Sequence, residues 1–373
     1  MKSNAAPSLT TYFDAVESLK LDFDFGMARK RAFHTRSKAM EHLDKHLIDF
    51  ETHFTRHQGK MIWAPTAENG KTELRQLLKD KVVYTLNHPL LKELGLDQEK
   101  NWHYVDHQTS LDLKEDSVAL VFPSFYISEN GSLILQHHLG ILDVLLSHCL
   151  KIIYALGIEQ VCPNLNEAEN LLNLLARFGE GQKDFSSIHI SFGNRQGRES
   201  DGPKESWVLM LDNGRSNLLS EIPQRQALYC IHCGACEWHS NFQGVHNEVT
   251  SVIERIQAPY TLGPEHFEDN FMLPLSGRAS KSCPVGIDLK GLILENRRVA
   301  VDRKQEGRSD ALAWKTWKTA MLNRKWINKS GGIKNFTLKS FFKKYWGEER
   351  EFPKTAEKSF NEWWLETRGK PED

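Results

Sequence analysis

Cysteine is scarce in this chain, with six in 373 residues, and nothing at its start resembles an export signal. Residues 1–25 mix acidic and polar side chains and lack a continuous apolar core, which argues against a secretory or transit peptide and predicts a cytoplasmic protein. In that reducing setting a disulfide framework is not expected, and clustered cysteines point to metal instead. Long hydrophobic runs are missing too. The segment from Leu139 to Ile158 comes nearest, but Asp143, His148 and Lys151 interrupt it, each costly in hydrocarbon. No membrane span is predicted. Charge of one sign is also lacking: the formal net charge is -1, which gives no pull toward nucleic acid or an anionic membrane. Repeats, low-complexity runs, a P-loop, a G-x-G-x-x-G turn, an H-E-x-x-H helix and a recognisable Ser-His-Asp arrangement are all absent.

What remains is an ordinary globular composition, 40% hydrophobic and 26% charged, in a chain long enough for two or three cores. Apolar residues recur with helical spacing from Met27 to Arg56, and again over 71–79, 139–148 and 165–177. Between them lie short runs rich in β-branched residues at 60–64, 82–86, 102–105, 117–122, 132–135, 151–156, 188–191 and 207–211. Strands alternating with helices predict an α/β domain over 27–222 with a largely parallel or mixed sheet, preceded by an N-terminal extension at 1–26. The character changes near Pro223. Residues 223–306 hold the cysteine motifs, polar loops and one helix after Cys283. Residues 307–373 are basic and rich in Trp and Phe, with a Gly-Gly pair at 331–332, and read as short helices packed by aromatics. The tail's lysines read first as a solvated surface and second as a site for an acidic partner.

Four of the six cysteines form a pattern. Cys230, Cys233 and Cys236 follow C-x2-C-x2-C spacing, which wraps a tight loop around three corners of an iron–sulfur cube. Gly234 and Ala235 are small enough for amide N–H groups to approach the sulfides. The fourth ligand must come from elsewhere, and Cys283–Pro284 supplies the remote Cys-Pro that two-cluster ferredoxins use. A second cluster would need a Cys-Pro after Cys236, where Ser240 and Asn241 stand. It would also need thiols at 279, 276 and 273, where Ala279, Ser276 and Leu273 stand. One complete ligand set and one wholly missing set predict a single [4Fe–4S] cluster and an electron-transfer role. Four thiolates also make a tetrahedral zinc site, which stays open as the alternative. His232 and His239 read as neighbours of the site rather than ligands, and Cys149 and Cys162 as core residues.

Two weaker signals flank a candidate ligand cleft. Glu129 and Asn130 belong to the run SENGS, which reads first as a hairpin turn. Arg215 follows a strand end, where it would bind an anionic group. A small carboxylate or CoA-like molecule would suit such a cleft.

The run LMLDNGRS at 209–216, then CIHCGAC at 230–236 and SCPVGIDL at 282–289, resembles the lactate utilization protein B family of iron–sulfur proteins. The likeness extends to the stretch 154–182, to SENGS at 128–132 and to FPKTAEKSFNEWW at 352–364. It implies a LUD domain with the fold of ribose-phosphate isomerases and CoA transferases, followed by a mainly helical ferredoxin-like domain. It also implies a part in oxidising L-lactate to pyruvate, in a complex with a cysteine-rich subunit and a second LUD protein. The cluster ligands it implies are Cys230, Cys233, Cys236 and Cys283. Family members usually keep two clusters, whereas this chain has the ligands for one. The contrasting expectation is a structural or assembly protein, whose metal site pins the C-terminal domain without redox turnover.

Overall fold

The computed structural model describes residues 18, 23–105, 116–137, 141–183, 187–237, 251–303, 308–323, 356 and 358–368. Expectations resting on 1–17, His239, Ser240, Asn241, the Gly-Gly pair at 331–332 and residues 352–355 lie outside the described residues. The chain divides into two compact units, Met1–Val299 and Ala300–Asp373.

In the first unit, α1 (Phe25–Glu41) and α2 (Leu43–Arg56) replace the single helical stretch expected from the spacing. They part at His42, whose φ of -124 lies outside the helical range and serves as C-cap of one helix and N-cap of the next. Next come β1 (Lys60–Ala64), α3 (Ala67–Leu77), β2 (Val83–Thr85), α4 (Pro89–Glu93), β3 (Trp102–Tyr104) and β4 (Val118–Val121). Then follow β5 (Phe125–Ile127), β6 (Leu133–His137), α5 (Ile141–His148), β7 (Lys151–Gly157), β8 (Val161–Cys162), α6 (Leu165–Leu175), β9 (Ser187–Ser191) and β10 (Glu205–Leu211). Helix α3 begins before the predicted 71–79 because Thr66 caps it, accepting from the Asn69 N–H.

Six strands form one wholly parallel sheet in the order β1-β10-β7-β4-β2-β3. The α/β expectation is therefore borne out. Strands β7 and β10 lie inside this sheet, which explains their near-continuous apolar sequence: both faces need cover. Ile153, Ala155, Leu209 and Leu211 pack on one face with Leu74 of α3 and Leu91 of α4. Ile152, Tyr154, Leu156, Val208 and Met210 pack on the other, in the larger core that α1 and α2 complete with Ala32, Met40, Phe50 and Phe54.

A second, four-stranded mixed sheet runs β8-β5-β6-β9. Strands β5 and β8, of three and two residues, are too short to show alternation in the sequence. The predicted turn over Ser128–Ser132 is a hairpin between β5 and β6, with Gly131 at φ +75. A Cβ on Gly131 would come within 2.6 Å of the Phe54 backbone N, so the turn lies hard against α2.

After β10 come α7 (Arg215–Ser220), α8 (Val252–Thr261), α9 (Asp269–Met272), α10 (Arg278–Ser282) and α11 (Leu289–Asp302). Gly214 lies where the end of β10 packs against the backbone of α8. Its φ is +84, and a Cβ there would meet the Tyr260 carbonyl oxygen at 2.1 Å. Gly214→Ala is expected to cost roughly 1–3 kcal/mol, combining a disfavoured backbone with a main-chain clash. An unchanged urea midpoint would contradict this. In the second unit, α12 (Arg308–Leu322) and α13 (Phe360–Arg368) carry aromatic pairs, Trp314 with Trp317 and Phe360 with both Trp363 and Trp364. Among the described residues no helix is long and apolar enough to cross a membrane.

Candidate metal centre

The three-cysteine loop leaves a 3-10 turn, Gln224–Tyr229, at Cys230. Two residues of the loop, His232 at φ +56 and Gly234 at φ +71, adopt the left-handed region. Alternating hands turn successive N–H groups toward one concave side, the geometry that cradles anions. The His232 N–H donates to the Cys230 Sγ at 3.2 Å, and the Ala235 N–H points at Cys233. Cys236 receives the N–H groups of Val252 and Ile253, the first two residues of α8, whose amides have no partner within the helix. Cys283 ends α10 and lies before a turn through Gly286, at φ +89, which brings it the N–H groups of Val285, Gly286 and Ile287.

These four sulfurs line one cavity of about 90 Å³, together with Pro89, His232, Glu237, Ser251, Glu254 and Ile287. A single water needs only ~10–15 Å³ on this kind of measure, so the space suits a larger group. Cys283 is buried, and the other three keep some exposure toward the cavity while protein crowds their remaining sides. Burial pushes all four thiols up, Cys236 to about 12, and neighbouring sulfurs add to the rise at Cys230, Cys233 and Cys236. The amide donors act in the opposite direction, as does Arg29 on Cys283. Among the described residues no three His, Cys, Asp or Glu side chains converge on one ion. The thiols stand around a space instead, an arrangement that fits a group bringing its own volume and its own sulfides. Four thiol donors around an amide-lined cavity are chemically suited to such a group.

The loop is tied to the C-terminal edge of the parallel sheet, where open α/β sheets usually bind ligands. Glu159, two residues beyond β7, is fully buried and pairs with Arg215 at 2.7 Å, while Arg215 also grips Glu93 through two bonds of 2.7 and 2.9 Å. The His232 Nε2 lies 3.7 Å from Glu159, so the cysteine loop meets the buried pair directly. Burial alone would raise the Glu159 carboxyl, but Arg215 and His232 outweigh it and hold the group down to about 2.

The sequence therefore led to all four cysteines of the site, and the structure brings them together. Arg215 is placed differently from a solvent-facing anion site: it is buried between Glu93 and Glu159. Asn130 accepts from the Ser132 N–H and hydroxyl within the β5–β6 turn, and the Glu129 N–H donates to the Pro163 carbonyl. Glu129, Asn130 and Arg215 do not line the thiol cavity. Cys149 and Cys162 are buried core residues, as expected, with burial raising them to about 11 and about 12. The positions of the missing second ligand set carry no thiol. Arg297 instead holds that segment, donating to the carbonyls of Asn270, Phe271 and Leu273.

Sequence reasoning passed over Glu159, Arg29 and Arg36. For Arg36 a signal existed: it falls in phase with the buried residues Ala32, Ala39 and Met40 of α1, where a charge is out of place unless it is used.

Fold and site together define a parallel α/β protein with a four-thiol centre at its sheet edge. The chain is similar to the protein named Lactate utilization protein B of Bacillus cytotoxicus (strain DSM 22905 / CIP 110041 / 391-98 / NVH 391-98), 28% identical over 327 residues and 82% of the chain. Proteins of the same name from Bacillus thuringiensis (strain Al Hakam) and Bacillus anthracis (strain A0248) are 27% identical over 81% of it. The likeness expected from the motifs is thus borne out. The matches span 66% of the length of these relatives, just under two thirds. No protein-family model matches the chain. A crystal structure of a DUF162 family protein from Deinococcus radiodurans aligns with a TM-score of 0.32 at 18% identity, covering 45% of the chain and 98% of that protein.

Proposed function

We propose that this chain is the iron–sulfur electron-transfer subunit of a cytoplasmic lactate-oxidising system, with one [4Fe–4S] cluster held by Cys230, Cys233, Cys236 and Cys283. The observation that carries the reading is the cavity shared by four thiols from two distant segments, each sulfur facing main-chain donors. The relatives' name supports the lactate system. The partners it implies are a cysteine-rich subunit and a second LUD protein, and residues 223–306 would form the ferredoxin-like domain. A bound cluster of this type accepts and returns single electrons. The chain's own residues set the conditions. Amides of His232, Ala235, Ile253 and Gly286 offset the negative charge of ligating thiolates, and Val285, Ile287 and Leu289 keep water from one side.

A second reading is favoured by one specific contact set. Arg29, His232 and the α8 amides join α1, the sheet edge and the later helices around this centre. A metal there would pin these segments together without redox turnover. Anaerobic reconstitution followed by metal and sulfide analysis separates the readings when combined with electron paramagnetic resonance. The electron-transfer role predicts about four iron and about four sulfide per chain and a reversible signal on reduction. Zinc in place of iron, or iron that never changes oxidation state, would favour the pinning role.

A further inference from the structure

One helix reaches both halves of the thiol set. Arg29 and Arg36 lie on α1 about two turns apart, hence on one face. Arg29 donates through Nε to the carbonyl of Cys283 at 2.9 Å and through Nη2 to that of Ser280 at 2.8 Å. Arg36, fully buried, donates to the carbonyls of Leu228 at 2.7 Å and Tyr229 at 3.2 Å, the two residues before Cys230. Its other donors reach the Glu159 and Val161 carbonyls at 2.6 and 2.5 Å, fixing the same loop to the second sheet.

We propose that α1 is a splint that sets the spacing between the Cys230–Cys236 loop and Cys283 before any metal arrives, with Arg29 and Arg36 as its positioning residues. The inference rests on the reading of the four cysteines as one ligand set. A guanidinium fork suits the task, because its fixed donors bridge two main-chain segments where a lysine would serve as one mobile point. Burying Arg36 is costly in itself. Spending its donors on main-chain carbonyls beside Cys230 makes sense where the position of that backbone matters. Both guanidinium groups also bring positive charge next to a centre that becomes anionic when its thiols ligate.

Arg29 is the residue to change, since it is half-exposed and the fold should survive its loss. In metal-free, reduced Arg29→Gln protein the amides of Val285, Gly286 and Ile287 should exchange hydrogen about tenfold faster, the cost of losing a charged hydrogen-bond pair. Amides of β7 should exchange at the original rate. After anaerobic reconstitution the midpoint potential should fall in Arg29→Gln and hold in Arg29→Lys, which keeps the charge that favours the reduced state. Unchanged exchange at those three amides, or an unchanged potential in Arg29→Gln, overturns the proposal. Should the unaltered chain take up no iron and sulfide, the cluster reading fails by itself. Exchange in the metal-free protein then still decides whether α1 acts as the splint.

Discussion

Cys283→Ser is expected to reduce bound iron and sulfide from about four each per chain to near zero, and to remove the reduced-state resonance signal. The size of the effect follows from the geometry. Cys283 is the contribution of the second segment to a cavity whose other thiols all come from 230–236. Three main-chain amides converge on this sulfur. A serine oxygen is a harder and more weakly held ligand at its ordinary protonation state, and three remaining thiolates leave one corner open to water and oxidant. Cys149→Ser and Cys162→Ser serve as controls, because both thiols are buried in the core and neither lines the cavity. They are expected to lose some stability and no iron. Full loading of the Cys283→Ser chain would move the fourth ligand elsewhere and remove the remote Cys-Pro from the site.

Arg215→Met is expected to destabilise the fold by roughly 3–5 kcal/mol, the usual cost of leaving a buried charge without its partner. Two carboxylates depend on this guanidinium, Glu93 and the fully buried Glu159. The pH dependence has a definite sign. Glu159 is held at about 2 in the folded chain against 4.5 as a free carboxyl. Its contribution to stability is therefore complete above about 4.5 and drains away as pH falls toward 2. Chemical denaturation at several pH values should show that loss in the unaltered chain and a flatter profile in Arg215→Met. Adding Glu159→Gln to Arg215→Met should restore part of the stability, since the stranded charge is then gone. A double variant no better than the single would assign the loss to packing.

The parallel sheet was legible because its inner strands are covered on both faces, and 151–156 and 207–211 consequently read as unbroken apolar runs. Three of the cysteines were legible because they share one tight C-x2-C-x2-C spacing, and Cys283 because a proline follows it. The second sheet was legible only in part: the runs at 132–135 and 188–191 and the turn before the first of them were read, but β5 and β8 offer three and two residues, and β8 pairs with a strand 35 residues away. Helix α8 was missed although its start is written plainly: Ser251 and Glu254 form a reciprocal capping box. Pro259 within that helix and the polar run before it obscured the signal. Arg215 shows a different limit. A cation at a strand end has the same sequence context whether it faces solvent or two buried carboxylates, and only the tertiary position of Glu93 and Glu159 decides. The expected boundary of the first helix failed for a local reason, the departure of His42 from helical φ, which apolar spacing on either side does not record.

The reach of α1 has a consequence for how the protein is made. Arg29 and its acceptor on Cys283 are 254 residues apart, while Arg36 and Tyr229 are 193 apart. At ~5–20 residues added per second, roughly ten to fifty seconds separate the emergence of Arg29 from that of Cys283 at the ribosome. The growing chain must therefore carry Arg29 without the Ser280 and Cys283 carbonyls that will receive it, while Arg36 meets the Glu159 and Val161 carbonyls well before those of Leu228 and Tyr229. Helix α1 leaves the ribosome early and finishes docking late, and the thiol centre closes only when the far end of the unit has been translated.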